Sequence, residues 1–174
     1  MCILTGGPGS GKTTLLSELA TLGYQCVPET ARAIIKLRHK KGLSPRPEPL
    51  DFAQQILDED MVQYERLRDH VGPIFFDRGL VDGLAMCKGA GLLTQVECAK
   101  RLQNYAFNKS VFIFPTWPEI YRQDNERDQS LDDSRRVYAE LSEWYLSLDF
   151  ELEVVPEGSV SERVAFVQSV LVRE

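Results

Sequence analysis

The chain has 174 residues, enough for a single domain with a substantial core, and 43% apolar with 26% charged residues is a soluble, globular composition. A formal charge of −6 provides no basic face, which argues against bulk nucleic-acid binding and against adhesion to anionic membranes. Four cysteines (Cys2, Cys26, Cys87, Cys98) without a C-x-x-C pair, beside only two histidines, argue against zinc and for reduced thiols in a cytoplasmic protein.

The first feature in the chain is also the most informative. Ile3-Leu4-Thr5 is a short apolar strand, followed by Gly6-Gly7-Pro8-Gly9-Ser10-Gly11-Lys12-Thr13-Thr14. Gly6, Gly11, Lys12 and Thr13 satisfy G-x-x-x-x-G-K-[ST], the phosphate-binding loop. Glycines let the backbone curl so that successive N–H groups converge on a polyphosphate, and the start of the next helix adds unpaired donors. Gly7, Pro8, Gly9, Ser10, Gly11, Lys12, Thr13 and Thr14 are therefore the expected nucleotide contacts. Lys12 should reach the β- and γ-phosphates, and the Thr13 hydroxyl should bind Mg²⁺. The motif begins so close to residue 1 that no signal peptide is expected, and no apolar run approaches the roughly 18 residues of a membrane span.

Helix 1 is expected from Gly11 to Leu22, ending at Gly23, and Tyr24 to Val27 reads as a second strand ending at Pro28-Glu29. Thr30 can cap a helix through Lys41, with Ala33, Ile34 and Leu37 on one face. Gly42 to Pro49 holds three prolines and must be a loop, either a lid over a second substrate or a plain connector. From Asp51 the stripe Ala53, Leu57, Met61, Tyr64, Leu67 predicts a long helix, broken by Gly72-Pro73. Ile74-Phe75-Phe76 is a continuous apolar strand of the kind buried in a parallel sheet, ending at Asp77-Arg78-Gly79.

A helix from Val81 to about Lys88 and one capped by Thr94 and reaching Tyr105 come next. Val111 to Phe114 is the fourth strand, and Pro118 to Arg122 reads as a helix start. A lid-like segment spans about 118–134, its polar stretch running from Gln123 to Asp132; Asp133 or Ser134 then opens a helix with Val137, Leu141, Trp144 and Leu148 aligned. Leu152 to Val155 is the fifth strand, and Ser159 with Glu162 has capping-box spacing for a last helix. Strands alternating with helices imply βαβ units and a parallel sheet covered on both faces, with ligands beyond the carboxyl ends of the strands.

That rule gathers the candidate site. Asp77, at the end of an apolar strand, stands where a carboxylate helps hold Mg²⁺, and Arg78 offers a planar fork to a phosphate or carboxylate. Glu29 closes the second strand as Asp77 closes the third; it is either the general base for an acceptor hydroxyl or a helix-capping acid. Arg32 points the same way, and Asp82 either contacts substrate or favours its own helix terminus. Arg122 and Arg127 are lid arginines that stabilise developing charge on the transferred phosphoryl group, or members of solvated ion pairs; Arg135 and Arg136 are weaker candidates. By topology, the loop Pro156 to Ser159 should approach the base.

GGPGSGKTT, the strand-end PETAR and FFDRG, and YRQDNERD together resemble the kinase-like branch of P-loop proteins, and within it the small AAA-type ATPase group related to ribosylnicotinamide kinases. The resemblance implies a three-layer α/β/α fold, a five-stranded parallel sheet of order 2-3-1-4-5, ATP with Mg²⁺, and a phosphoryl acceptor. The family's Glu after strand 2 and Asp/Glu-Arg pair after strand 3 fall on Glu29 and Asp77-Arg78. The lid lacks the cysteine or glycine-framed pattern of nucleotide kinases, and the chain is too short for the modules of ring ATPases, so a monomer or small homo-oligomer is expected. The leading function is a kinase for a small hydroxyl compound, nucleoside-like or other; the rival is a nucleotide switch with slow hydrolysis. A GTPase is disfavoured by the absence of N-K-x-D.

Overall fold

In the computed structural model, residues 1–121 and 130–173 are described. Alternation along the short strands decides the layering. In β1 (Cys2–Gly6), Cys2 and Leu4 face one side of the sheet and Ile3 faces the other. Cys2 and Leu4 pack with Leu15 and Leu19 of α1 (Lys12–Thr21) and Val164 and Val167 of α7 (Val160–Leu171). Ile3 joins Leu57 of α3 (Pro49–Leu67), Leu84 of α4 (Leu80–Gly89), Cys98 of α5 (Gln95–Leu102) and Tyr145 of α6 (Leu131–Leu146). β4 (Ser110–Phe114) repeats the pattern, with Phe112 and Phe114 in the first core and Val111 in the second. Two cores on one sheet make the three-layer α/β/α sandwich.

The strands β2 (Gln25–Val27), β3 (Ile74–Asp77) and β5 (Glu151–Val154) complete a five-stranded sheet in the order β2-β3-β1-β4-β5, and every pairing is parallel. This is the expected order. Chain direction switches sides at β1, which has β3 on one flank and β4 on the other, so a crevice opens at its carboxyl end. The register sets Leu4 level with both Asp77 and Phe112, which brings the last residue of β3 directly beneath the phosphate loop.

Several boundaries differ from the sequence reading. The helix α2 (Thr30–Lys40) has Glu29, not Thr30, at its N-cap position; Thr30 turns its hydroxyl inward and donates to Asp60 Oδ1 at 2.5 Å. Pro118–Ile120 form only a turn rather than a helix start. The helix α6 begins at Leu131, because Ser130 and Asp133 form a capping box just ahead of the expected opening at Asp133 or Ser134. Thr94 with Glu97, and Ser159 with Glu162, form capping boxes where caps were expected. No helix among the described residues is long and apolar enough to cross a membrane.

Candidate active site

The phosphate loop owes its shape to three glycines in left-handed or related conformations: Gly6 (φ 129°), Gly9 (φ 79°) and Gly11 (φ 84°). Gly11 is the N-cap of α1 and offers no side-chain cap, so the first N–H groups of that helix open onto the loop. Lys12 is buried and its Nζ donates to Gly7 O (2.8 Å), Gly6 O (3.2 Å) and Ser10 Oγ (3.3 Å). Burial pulls its pKa down to about 8, the Arg78 charge adds to this, and Asp77, Glu29 and Asp82 oppose it. Ser134, wholly buried on α6, donates to Pro8 O at 2.8 Å and so ties the loop to that helix. Gly7 has no room for a side chain: a Cβ there would lie 2.5 Å from Ser134 O.

Beneath the loop, Thr13 Oγ1 donates to Asp77 Oδ2 at 2.9 Å. Asp77 Oδ1 is buried and has no hydrogen-bond partner among the described residues. Burial raises the Asp77 pKa, against the attraction of Lys12. A hydroxyl beside a carboxylate with one unspent oxygen is the donor set that a magnesium ion uses when phosphates and water complete its octahedron. The described residues hold no group of three or more His, Cys, Asp or Glu that could bind a metal ion.

At the other end of the site, Arg78 has a left-handed backbone (φ 70°) and its N–H donates to Leu4 O at 2.8 Å. A non-glycine residue in that region carries strain of the order of 1–3 kcal/mol, here offset by what the side chain reaches. Arg78 Nε donates to Glu29 Oε1 (3.2 Å) and Nη1 to Asp82 Oδ1 (3.1 Å). Burial alone would lower the guanidinium's pKa, but Glu29, Asp82 and Asp77 outweigh it and hold the charge firmly. Asp82 lines the cavity that these parts share and is tied into the fold as well. Thr5 Oγ1 (2.7 Å) and Tyr145 Oη (2.5 Å) also donate to it, so it is a buried hub locking Arg78 to the sheet and to α6. Glu29 makes no side-chain cap to α2; among the described contacts its carboxylate is Arg78's partner.

One cavity of about 1480 Å³ connects these parts. Pro8 to Thr14, Glu29 and Arg78 all line it, whereas Gly7 and Asp77 are not part of its wall. Arg32 and Arg46 line it too, on the side of α2 and α3 with Phe52. Arg135 and Arg136 instead make exposed pairs with Asp132 and Asp133 in the first turn of α6. Arg122 and Arg127 lie outside the described residues. Among the lining residues that escaped the sequence reading are Trp117 after β4, and Arg163 on α7, buried and set over the Trp117 ring at 5.5 Å. The signal for Arg163 was an arginine interrupting the stripe Val160, Val164, Val167.

The sequence matches the model of the AAA domain family over residues 1–163. Among solved structures, the fold is similar to deoxyadenosine kinase from M. mycoides with bound dATP, at 17% identity and a TM-score of 0.65, covering 98% of this chain and 97% of that one. It is also similar to thymidylate kinase from Candida albicans, at 12% identity and a TM-score of 0.62, covering 99% and 90%. No curated protein matches the sequence. With the family match running through most of the chain and the fold shared with these kinases, the protein belongs to the AAA domain family, as a P-loop kinase-like NTPase.

Proposed function

We propose that the protein is an ATP-dependent phosphotransferase that moves the γ-phosphate of Mg-ATP to a hydroxyl of a small, nucleoside-like acceptor. The observation that carries this reading is the single cavity of about 1480 Å³ shared by the phosphate loop and the Glu29–Arg78 pair. Pockets for one ligand are typically about 300–1,000 Å³, so donor and acceptor have room side by side. Kinases with bound nucleotides among the similar structures, such as the one with dATP, support the same reading.

In this mechanism Lys12 and the loop N–H groups would hold the β- and γ-phosphates, and Thr13 with Asp77 would hold Mg²⁺. The metal, when bound, neutralises charge on the β- and γ-oxygens. Glu29 takes the acceptor's hydroxyl proton as that oxygen bonds to the γ-phosphorus and the β–γ bridging P–O bond breaks, releasing ADP. Arg78, pinned by Glu29 and Asp82, is oriented to steady the developing charge, with Arg122 and Arg127 in the same role from the lid-like segment.

The test is acceptor-dependent ADP release across nucleosides, vitamins and sugars, repeated with Glu29→Gln. Positioned base catalysis is worth about 10²–10⁴ in rate, so the variant should lose roughly that factor while binding ATP normally. Glu29 makes no side-chain cap, but the variant gives up the charge that pairs with Arg78, so a modest fall in melting temperature is expected beside the rate loss. ADP release that no acceptor stimulates, in parent and variant alike, would identify the nucleotide switch instead.

A further inference from the structure

The cavity does not end at the phosphates. Glu29 and Arg78 follow β2 and β3, on one side of β1, while Trp117 follows β4 and Arg163 lies beyond β5, on the other. A triphosphate seated in the loop with its transferred group toward Glu29 must leave toward Trp117 with its base. Arg163 is an expensive residue for this place. It is only 4% exposed, it meets no carboxylate among the described residues, and burial holds its pKa below the usual guanidinium range. Its Nη1 makes one long bond of 3.5 Å to Gly11 O, and its Nε has no hydrogen-bond partner among the described residues. What the guanidinium does contact is one face of the Trp117 indole, 5.5 Å from the ring centroid. The indole is only half-buried and lines the cavity. Space on the loop side is equally tight, since a Cβ on Gly11 would lie 2.5 Å from Arg163 Nη1.

We propose that Trp117 is the stacking platform for the purine base of the donor nucleotide, with Arg163, set 5.5 Å from the ring centroid, holding the indole in place. This rests on the donor-nucleotide reading given above. It shifts base recognition from the backbone of Pro156–Ser159, where Gly158 and Ser159 line the cavity, to an aromatic side chain that lines it as well. A π-face accepts any base, but a purine covers more of an indole than a pyrimidine does, so the platform ranks ATP above CTP. Arg163 is a positioning residue: it orients the ring and need not touch the base.

The experiment measures binding of ATP, CTP and inorganic tripolyphosphate, each with Mg²⁺, to the parent and to Trp117→Phe, Trp117→Leu and Lys12→Ala. Base–aromatic stacking is worth about 5- to 100-fold in affinity. Trp117→Leu should lose that factor for ATP, lose less for CTP and leave tripolyphosphate unchanged, while Trp117→Phe retains most ATP affinity. Lys12→Ala should weaken all three ligands, because it removes a charge on the phosphates. Arg163→Met should lower the ATP preference over CTP without altering tripolyphosphate binding. Trp117→Leu binding ATP like the parent overturns the platform while leaving the phosphate loop intact. So does a parent that binds ATP no tighter than tripolyphosphate. Lys12→Ala binding every ligand normally removes the donor-nucleotide reading, and the platform with it. If the leucine variant does not fold, Trp117→Gln, which keeps a planar polar group of moderate bulk but no ring, decides the matter: a lost ATP-to-CTP preference supports stacking, and a parent-like preference and affinity overturn it.

Discussion

Asp60 supports the turn that presents Glu29, and replacing it with asparagine should stabilise the protein in a pH-dependent way. The carboxyl is 4% exposed on α3 and accepts from Thr30, the residue after Glu29, at 2.5 Å. Burial raises its pKa to about 7 from 3.8; the Thr30 bond opposes the shift, and the nearby charges of Asp82, Glu59 and Glu29 add to it. Because the folded value lies above the unfolded one, the folded state keeps a proton that the unfolded chain gives up. The associated stability is fully present below about pH 4 and is lost as pH rises to about 7. Three units at 1.36 kcal/mol each give about 4 kcal/mol across that window, and about 2–3 kcal/mol between pH 5 and pH 8. Asp60→Asn keeps the acceptor oxygen for Thr30 and has no proton to lose. Urea unfolding of parent and variant at pH 5, 6, 7 and 8 should therefore show the variant's advantage growing by that amount and levelling above pH 7. A difference that does not vary with pH, or a variant less stable at pH 8, would refute the reasoning.

Thr13→Ala and Asp77→Asn should each shift the Mg²⁺ titration of nucleotide turnover to higher concentration, since one removes a ligand oxygen and the other a charge beside the metal; two unchanged titration curves would make Asp77 a structural group only. Gly7→Ala should cost about 1–3 kcal/mol in stability and loosen ATP, because its Cβ must push the Ser134 backbone, whose O would lie 2.5 Å away. Thermal melting and ATP binding of that variant check this, and a parent-like melt would show that α6 yields freely.

The phosphate loop and the layered sheet were readable from the chain because their causes are local. Gly6, Gly9 and Gly11 stand where positive φ is required, and short apolar strands alternate with helices along the chain. Glu29 and Asp77-Arg78 were placed by the same logic, since residues that close parallel strands share one edge of the sheet. Tertiary structure alone decided what those side chains do with one another. Thr30 reads as a cap until Asp60, thirty positions on, offers its hydroxyl a buried partner. Asp82 reads as a helix-terminal acid until Thr5 and Tyr145 converge on it from elsewhere in the chain. Ser134 grips Pro8 across 126 residues, and Arg163 finds Trp117 only because α7 packs beside the segment that follows β4. In each case a buried polar group must be matched by whatever packing brings within reach. Local sequence announces that such a group exists, and the assembled core chooses its partner.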